Sequence, residues 1–343
     1  MKVWELASVL PKGSLAPVYL ILGQEEYLAQ RAYQLLMQTI PEEEQDLNIG
    51  QYDMEVTPLS EAVNDAMSIP FFGERRLVFI NRPYFLTGEN KKVPFEQDID
   101  SLVKYLQQPE ETTTLVIMAP YAKLDERKKV TKVLKKQAVL IDVNPLQENE
   151  VRNYLDNELM QAGYQMQPVA FQSLLERTDA KLSLIMAELP KLFLLAQDDK
   201  LITQDQVERM VSRSLEQTVF DLVEFVLQKR LQDALTLYHD LLLQKEEPLK
   251  INAILLGQFR LLLQTAVLKR SNYDQGSIAS SLKVHPYRVS LALKKLRYFR
   301  VGDLKRAYLG LVGIEEQLKS TNQDPELLFQ LFLLKYTNQK QSA

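Results

Sequence analysis

The chain has 343 residues, too many for one ordinary hydrophobic core, so two or three domains are expected. A net charge of -4 and a pI of about 5.5 provide no global basic field to draw it onto DNA or an acidic membrane. With no cysteine at all, disulfides, thiolate zinc sites and cysteine nucleophiles are excluded, which suits a cytoplasmic protein.

The opening MKVWELASVLPKGSL contains Glu5 and lacks a continuous apolar core, so no signal peptide is expected. No apolar run approaches the roughly 20 residues needed to span a bilayer, and no membrane partner is expected. The first strand-like run, VYLIL at 18–22, reaches Gly23, and helical spacing follows from Glu26 to Thr39. A phosphate-binding loop would sit at this junction. Such a loop needs glycines that let backbone amides close around phosphate, a lysine to neutralise it, and a hydroxyl for magnesium. Here Gly23 is followed by Gln24, Glu25 and Glu26, and the carboxylates would repel phosphate. The second requirement, carboxylates at the end of the strand at 114–118, meets Met118, Ala119 and Pro120 instead. Neither a nucleotide cofactor nor ATP hydrolysis is expected.

Helical spacing resumes at Leu59 to Met67, after the acidic PEEEQD, which reads as a solvated helix start. Pro70 then breaks the pattern. In AMSIPFFGERRLVFI, residues 66–80, the apolar Ile69, Phe71 and Phe72 fall in the connection to the strand at 77–80. The residues alone leave two readings open: side chains tucked beneath a sheet, or an exposed apolar knob that anchors a partner. Further strands are expected at 114–118 and 138–143, with a helix over Asp125 to Lys136 between them. Near-continuous apolar strands alternating with helices predict a mostly parallel sheet covered on both faces, ending by Pro145.

Beyond Pro145 the strand signal fades. A helix over 147–163 ends at Gly163, and short helical pieces run to about 210, with Thr203 as the N-cap of QDQVERMV. From about 215 the helical spacing is long: VFDLVEFVLQKRLQDALTLYHDLLL, INAILLGQFRLLLQTAVLKR and a final LFQLFLLKY. Pro248, Pro286 and Pro325 mark helix starts. The expected fold class is therefore multi-domain α/β plus α, with an α/β domain at 1–145, a small helical domain at 146–211 and an all-α domain at 212–343.

Other chemistry finds little support. His239 and His285 lie far apart without a carboxylate at ligand spacing, so structural roles are expected and no metal site. Neither G-x-S-x-G nor H-E-x-x-H occurs, and no catalytic residue is assigned. Residues 277–297 could form a helix–turn–helix, with Ile278, Leu282, Val284 and Val289 as its core and Arg288, Lys294, Lys295 and Arg297 for phosphates. The turn lacks the usual glycine, and the basic face of a bundle helix is the favoured alternative. Ser212-Arg213-Ser214 could suggest an arginine reaching a neighbour's nucleotide, but a plain linker is favoured.

Taken in order, VYLILGQEEYLAQRA, AMSIPFFGERRLVFI, LSLIMAELPKLFL, EEPLKINAILLGQFRLLLQ, KVHPYRVSLALKKLRYF and LKSTNQDPELLFQLFLL resemble the delta subunits of bacterial DNA polymerase III clamp loaders, in a short form similar to those of Gram-positive bacteria. The resemblance spans essentially the whole chain. It implies an AAA+-like first domain with a degenerate P-loop, a small helical lid domain and an all-α collar. It further implies a non-catalytic subunit of a DNA-directed DNA polymerase holoenzyme, without ATP hydrolysis of its own. Its partners would be the sliding clamp (beta subunit), the gamma/tau and delta prime subunits through the collar, and primed DNA within the assembled complex. The family's clamp-binding wedge maps onto Met67, Ser68, Ile69, Pro70, Phe71 and Phe72. The rival readings are an atypical AAA+-like NTPase and a DNA-binding regulator acting through 277–297.

Overall fold

The structure is a computed structural model, and it describes all residues except 11–14, 72, 90, 214 and 339–343. The chain forms two compact units, Met1–Leu146 and Gln147–Ala343.

In the first unit the order is α1 (Val3–Val9), β1 (Val18–Leu22), α2 (Glu26–Met37), α3 (Glu42–Asn48), β2 (Ile49–Asp53), α4 (Leu59–Ala66) and β3 (Arg76–Asn81). A short 3-10 turn at Tyr84–Leu86 leads to α5 (Ile99–Gln107), β4 (Thr113–Ala119), α6 (Lys129–Gln137) and β5 (Val139–Asp142). The five strands form one parallel sheet in the order β2-β3-β4-β1-β5. The register sets Val18 opposite Leu115, Leu77 opposite Thr114 and Tyr19 opposite Val139. Alternate residues such as Leu20, Ile80 and Ile117 pack with Leu59, Val63, Leu102 and Leu134 from α4, α5 and α6. Residues of the other parity, Tyr19, Ile21, Phe79 and Val116, are buried as well, and the Tyr33 ring of α2 lies 4.7 Å from Phe79. Burial on both faces explains why the strands read as unbroken apolar runs.

The expected strands are all present. The additional β2, with sequence IGQYD, escaped the periodicity because it is an edge strand with one glycine and two polar residues. Chain entry also adds to the opposite edge: the Met1 amino group donates to the Leu140 carbonyl, and Lys2 pairs with Asp142 at 3.0 Å. The helix expected over Asp125 to Lys136 begins only at Lys129, because Asp125 instead folds back on Arg127.

In the second unit α7 (Glu148–Ala162) ends at Gly163, whose φ of 75° is the left-handed helix stop expected there. It is followed by β6 (Gln165–Met166), α8 (Pro168–Thr178), α9 (Leu182–Leu195), β7 (Leu201–Ile202) and α10 (Gln204–Met210). Thr203 caps α10 by accepting from Gln206 N, in a capping box. The long helices are α11 (Leu215–Leu227), α12 (Leu231–Leu243), α13 (Pro248–Arg270), α14 (Gln275–Leu282), α15 (Pro286–Lys295), α16 (Val301–Ser320) and α17 (Pro325–Asn338). The continuous pattern through 219–243 is broken at Lys229, which takes a left-handed φ of 60° and reverses the chain. α13 is long and apolar enough by composition to cross a membrane. It is instead a core helix here, burying Ile251, Leu255, Phe259 and Leu262 against α11 and α16. Tyr238 of α12 stacks on Phe329 of α17 at 4.2 Å.

Candidate functional site

The connection from α4 to β3 is built to hold apolar side chains out in water. The helix closes with Met67 N donating to Val63 O, and Ser68 N donates to Asp65 O at 3.0 Å. The Ser68 hydroxyl donates to Asn64 O at 3.0 Å. Pro70 prevents continuation. Beyond that stop Met67 is 62% exposed, Ile69 74% and Phe71 72%. Ser68 is exposed and Pro70 half-buried, while Phe72 lies outside the described residues. Isolated exposed apolar residues are ordinary; three within five positions of one loop are a patch.

The base of this loop is polar and tightly held. Asn48, fully buried at the end of α3, accepts from Phe71 N through its side-chain carbonyl at 2.9 Å. Arg76, the first residue of β3, pairs with Asp65 of α4, and both side chains are largely shielded from water. The same guanidinium donates to Leu47 O at 3.1 Å, joining α3, α4 and β3. The Asp65 carboxylate also explains Gly50 in β2, where an added Cβ would lie 2.0 Å from its Oδ2. Burial first, and then the charge of Asp65, raise the Tyr52 phenol above its usual range. The loop therefore has apolar tips on a cross-braced base. The sequence pattern identified the tips; Asn48, Asp65, Arg76 and Gly50 carry no spacing that would have flagged them.

The loop after β1 sits where a ligand would be held in an open parallel sheet, beyond the strand ends. Two of its amides are engaged. Gly23 N donates to Ala119 O of β4 at 3.2 Å, and Glu25 N donates to Val143 O at 2.9 Å. Gly23 has a φ of 148°, and a Cβ there would lie 2.1 Å from the Val143 carbonyl carbon. The chain leaving β5 thus lies hard against Gly23. Glu25 is buried, while Gln24 and Glu26 are exposed at the start of α2. The arrangement ties three strand ends together.

The other candidates are mostly engaged with protein partners. α14 and α15 do pack as a helical pair through Ile278, Ala279 and Val289, with Leu282 and Val284 against them, and Lys283 adopts the left-handed turn in place of glycine. Lys295, however, is turned inward: it pairs with Glu224 at 2.9 Å and lies 3.5 Å from the Phe220 ring centroid. Burial lowers its ammonium pKa, and its engagement with Glu224 and Phe220 turns it away from the basic face. Arg213 pairs with Asp221 at 2.6 Å, while Ser214 lies outside the described residues. His239 does meet a carboxylate, Glu326 at 3.0 Å, one that sequence spacing concealed because it comes from α17. His285 caps α15, its Nδ1 accepting from Tyr287 N at 3.2 Å. Burial, with Lys181 and Arg288 nearby, pushes this imidazole down to about 4. Among the described residues no three His, Asp or Glu side chains gather to hold a metal ion.

Known proteins place these features in one lineage. The family model for the DNA polymerase III delta subunit matches residues 19–144, and that for its C-terminal domain matches 216–336. DNA polymerase III subunit delta of Bacillus subtilis (strain 168) is 40% identical over 333 residues, covering 97% of this chain and 96% of that protein. The chain belongs to the DNA polymerase III delta-subunit family. The solved DNA clamp loader delta protein of Bacillus subtilis superposes with a TM-score of 0.75 at 39% identity, covering 97% of this chain and 99% of that one. A protein of Aquifex aeolicus (strain VF5), named as a probable subunit delta, is 24% identical and covers 92% and 90% of the two chains. Both the braced apolar loop and the occupied strand-end loop fall within the stretch matched to the delta subunit, and α12 to α16 lie wholly within the matched C-terminal domain.

Proposed function

We propose that this delta-family chain binds the sliding clamp of DNA polymerase III through Met67, Ser68, Ile69, Pro70, Phe71 and Phe72, and holds one clamp interface open for loading onto primed DNA. The observation that carries the reading is the exposure of Ile69 and Phe71 on a loop whose base is pinned by Asn48 and the Asp65–Arg76 pair. Apolar anchors presented in this way dominate interface energies, since their burial gains the hydrophobic term without a large ordering cost. Domains at 1–145, 146–211 and 212–343 would serve as wedge carrier, lid and collar, the collar meeting the gamma/tau and delta prime subunits in the cytoplasm. ATP would act in those partners and not here, because the Gly23 and Glu25 amides donate to neighbouring strands and the carboxylates of Glu25 and Glu26 oppose phosphate.

The test is clamp binding by the full chain and by an Ile69→Ala/Phe71→Ala/Phe72→Ala variant. Affinity should fall by several kcal/mol, on the scale of lost interface hot spots, with the unfolding midpoint unchanged. Equal affinity in the folded variant would refute the wedge. Micromolar MgATP binding by the isolated chain would instead favour an NTPase.

A further inference from the structure

The helical unit holds a cavity of about 230 Å³, remote in sequence from both loops above. Its walls come from the C-terminal end of α8 and from α11, α13 and α15. Five carboxylates line it against the two guanidiniums of Arg213 and Arg288. Three of the five have protein partners. Glu176 accepts from Gln172 at 2.8 Å, Asp221 pairs with Arg213 at 2.6 Å, and Glu224 pairs with Lys295 at 2.9 Å. The side chains of Asp179 and Glu216 make no hydrogen bond or ion pair with any described residue. Burial is the main cause that raises the Asp179 carboxyl, with Arg288 and then Lys181 opposing it and Glu216 adding to it.

A second observation is independent of that charge. Gln258, on α13, lines the same cavity at 6% exposure, and its amide has no hydrogen-bond partner among the described residues. Polar groups this deep are as a rule satisfied, and this amide opens onto the cavity rather than onto a protein partner. Whatever fills the cavity, water or ligand, meets this amide with a hydrogen bond.

The lining also selects among occupants. Among the described residues no three acidic or histidine side chains converge on a point, so the carboxylates do not form a metal cage. They are spread along a cavity that Phe220, Leu261 and Leu262 also line with apolar surface. Separated acceptors beside apolar surface match a flexible chain carrying charged donors at intervals. We propose that this cavity binds a small aliphatic polyamine, its ammonium groups on Asp179, Glu216 and the Gln258 carbonyl and its methylenes on Phe220 and Leu261. Arg288 and Lys181 are the cations that a polyamine would compete with at Asp179.

The experiment titrates the full chain with putrescine and with spermidine in about 0.15 M salt, where diffuse charge effects are screened beyond roughly 8 Å. Magnesium chloride serves as the charge-only comparison. Saturable one-site binding of a polyamine is expected, weakened about tenfold by Asp179→Asn, as for loss of one charge-assisted hydrogen bond. Gln258→Leu should weaken it about fivefold, whereas Glu43→Gln, an exposed change in the other unit, should leave it unaltered. If Asp179→Asn does not fold, Gln258→Leu carries the test. Absence of saturable binding, a response matched by magnesium, or unchanged affinity in the folded variants would overturn the assignment and leave the cavity to water.

Discussion

Replacing Asn48 with alanine separates the brace from the apolar tips it supports. In the native chain its side-chain carbonyl accepts from Phe71 N at 2.9 Å, from a position with no solvent exposure. Removing an acceptor and leaving a partly buried N–H unpaired costs about 1–3 kcal/mol, so urea unfolding of the first unit should register a loss of that size. The effect on clamp affinity has a different origin. Without the bond at Phe71 the segment between Ser68 and Arg76 loses its central tether. If two residues regain backbone freedom, each at about 1 kcal/mol, binding must then reorder them at a cost of about 2 kcal/mol. That corresponds to a roughly 30-fold rise in the dissociation constant, with Ile69 and Phe71 chemically unchanged. The assay is clamp titration at a temperature where the variant is folded, with Ile69→Ala/Phe71→Ala alongside. A shift under about twofold, while the tip variant still abolishes binding, would refute preorganisation by Asn48 and leave the wedge itself intact.

Two further outcomes follow from single contacts. His285 is held near 4 in the fold, below the ordinary 6.5 of an unfolded imidazole. The fold favours its neutral form, so this contribution is complete above pH 6.5 and is lost as pH falls from 6.5 toward 4. Between pH 7 and pH 5 the loss should reach about 2 kcal/mol. His285→Asn, which keeps an acceptor for Tyr287 N, should flatten that part of the profile, and an unchanged slope in urea unfolding would argue against it. Gly310→Ala should lower stability by about 1 kcal/mol, because its Cβ would lie 2.6 Å from the Phe332 ring across the α16–α17 seam. Overpacking of about 1–3 kcal/mol there exceeds the roughly 1 kcal/mol gained in helix propensity. A rise in the unfolding midpoint would show that the ring moves aside freely.

Strands β1, β3 and β4 were legible in the sequence because burial on both faces favours apolar residues along nearly their whole length. β5, an edge strand with Leu140 exposed, was legible from its short apolar run. β2 was not, since as an edge strand it tolerates Gln51, and Gly50 is there to make room for a carboxylate from α4. Helix α5 escaped notice for a related reason: its nine residues were short for the pattern, although Asp98 caps it by accepting from Ser101 N.

What the sequence determined by itself was local: apolar runs, proline stops, the Thr203 cap, the missing lysine after Gly23, and an apolar cluster at 67–72 that had two readings. Only the tertiary structure removed the tucked reading for Ile69 and Phe71, by turning them outward while Asn48 holds the Phe71 amide. The same holds for Gly23, whose amide and open side are taken by residues about a hundred positions away. It holds too for Lys295, which α15 turns inward onto Glu224 and Phe220. Side-chain periodicity reports which face of an element avoids water. Which neighbour then covers that face, and which polar groups it satisfies, depends on contacts far apart in the chain, and these leave no spacing to read.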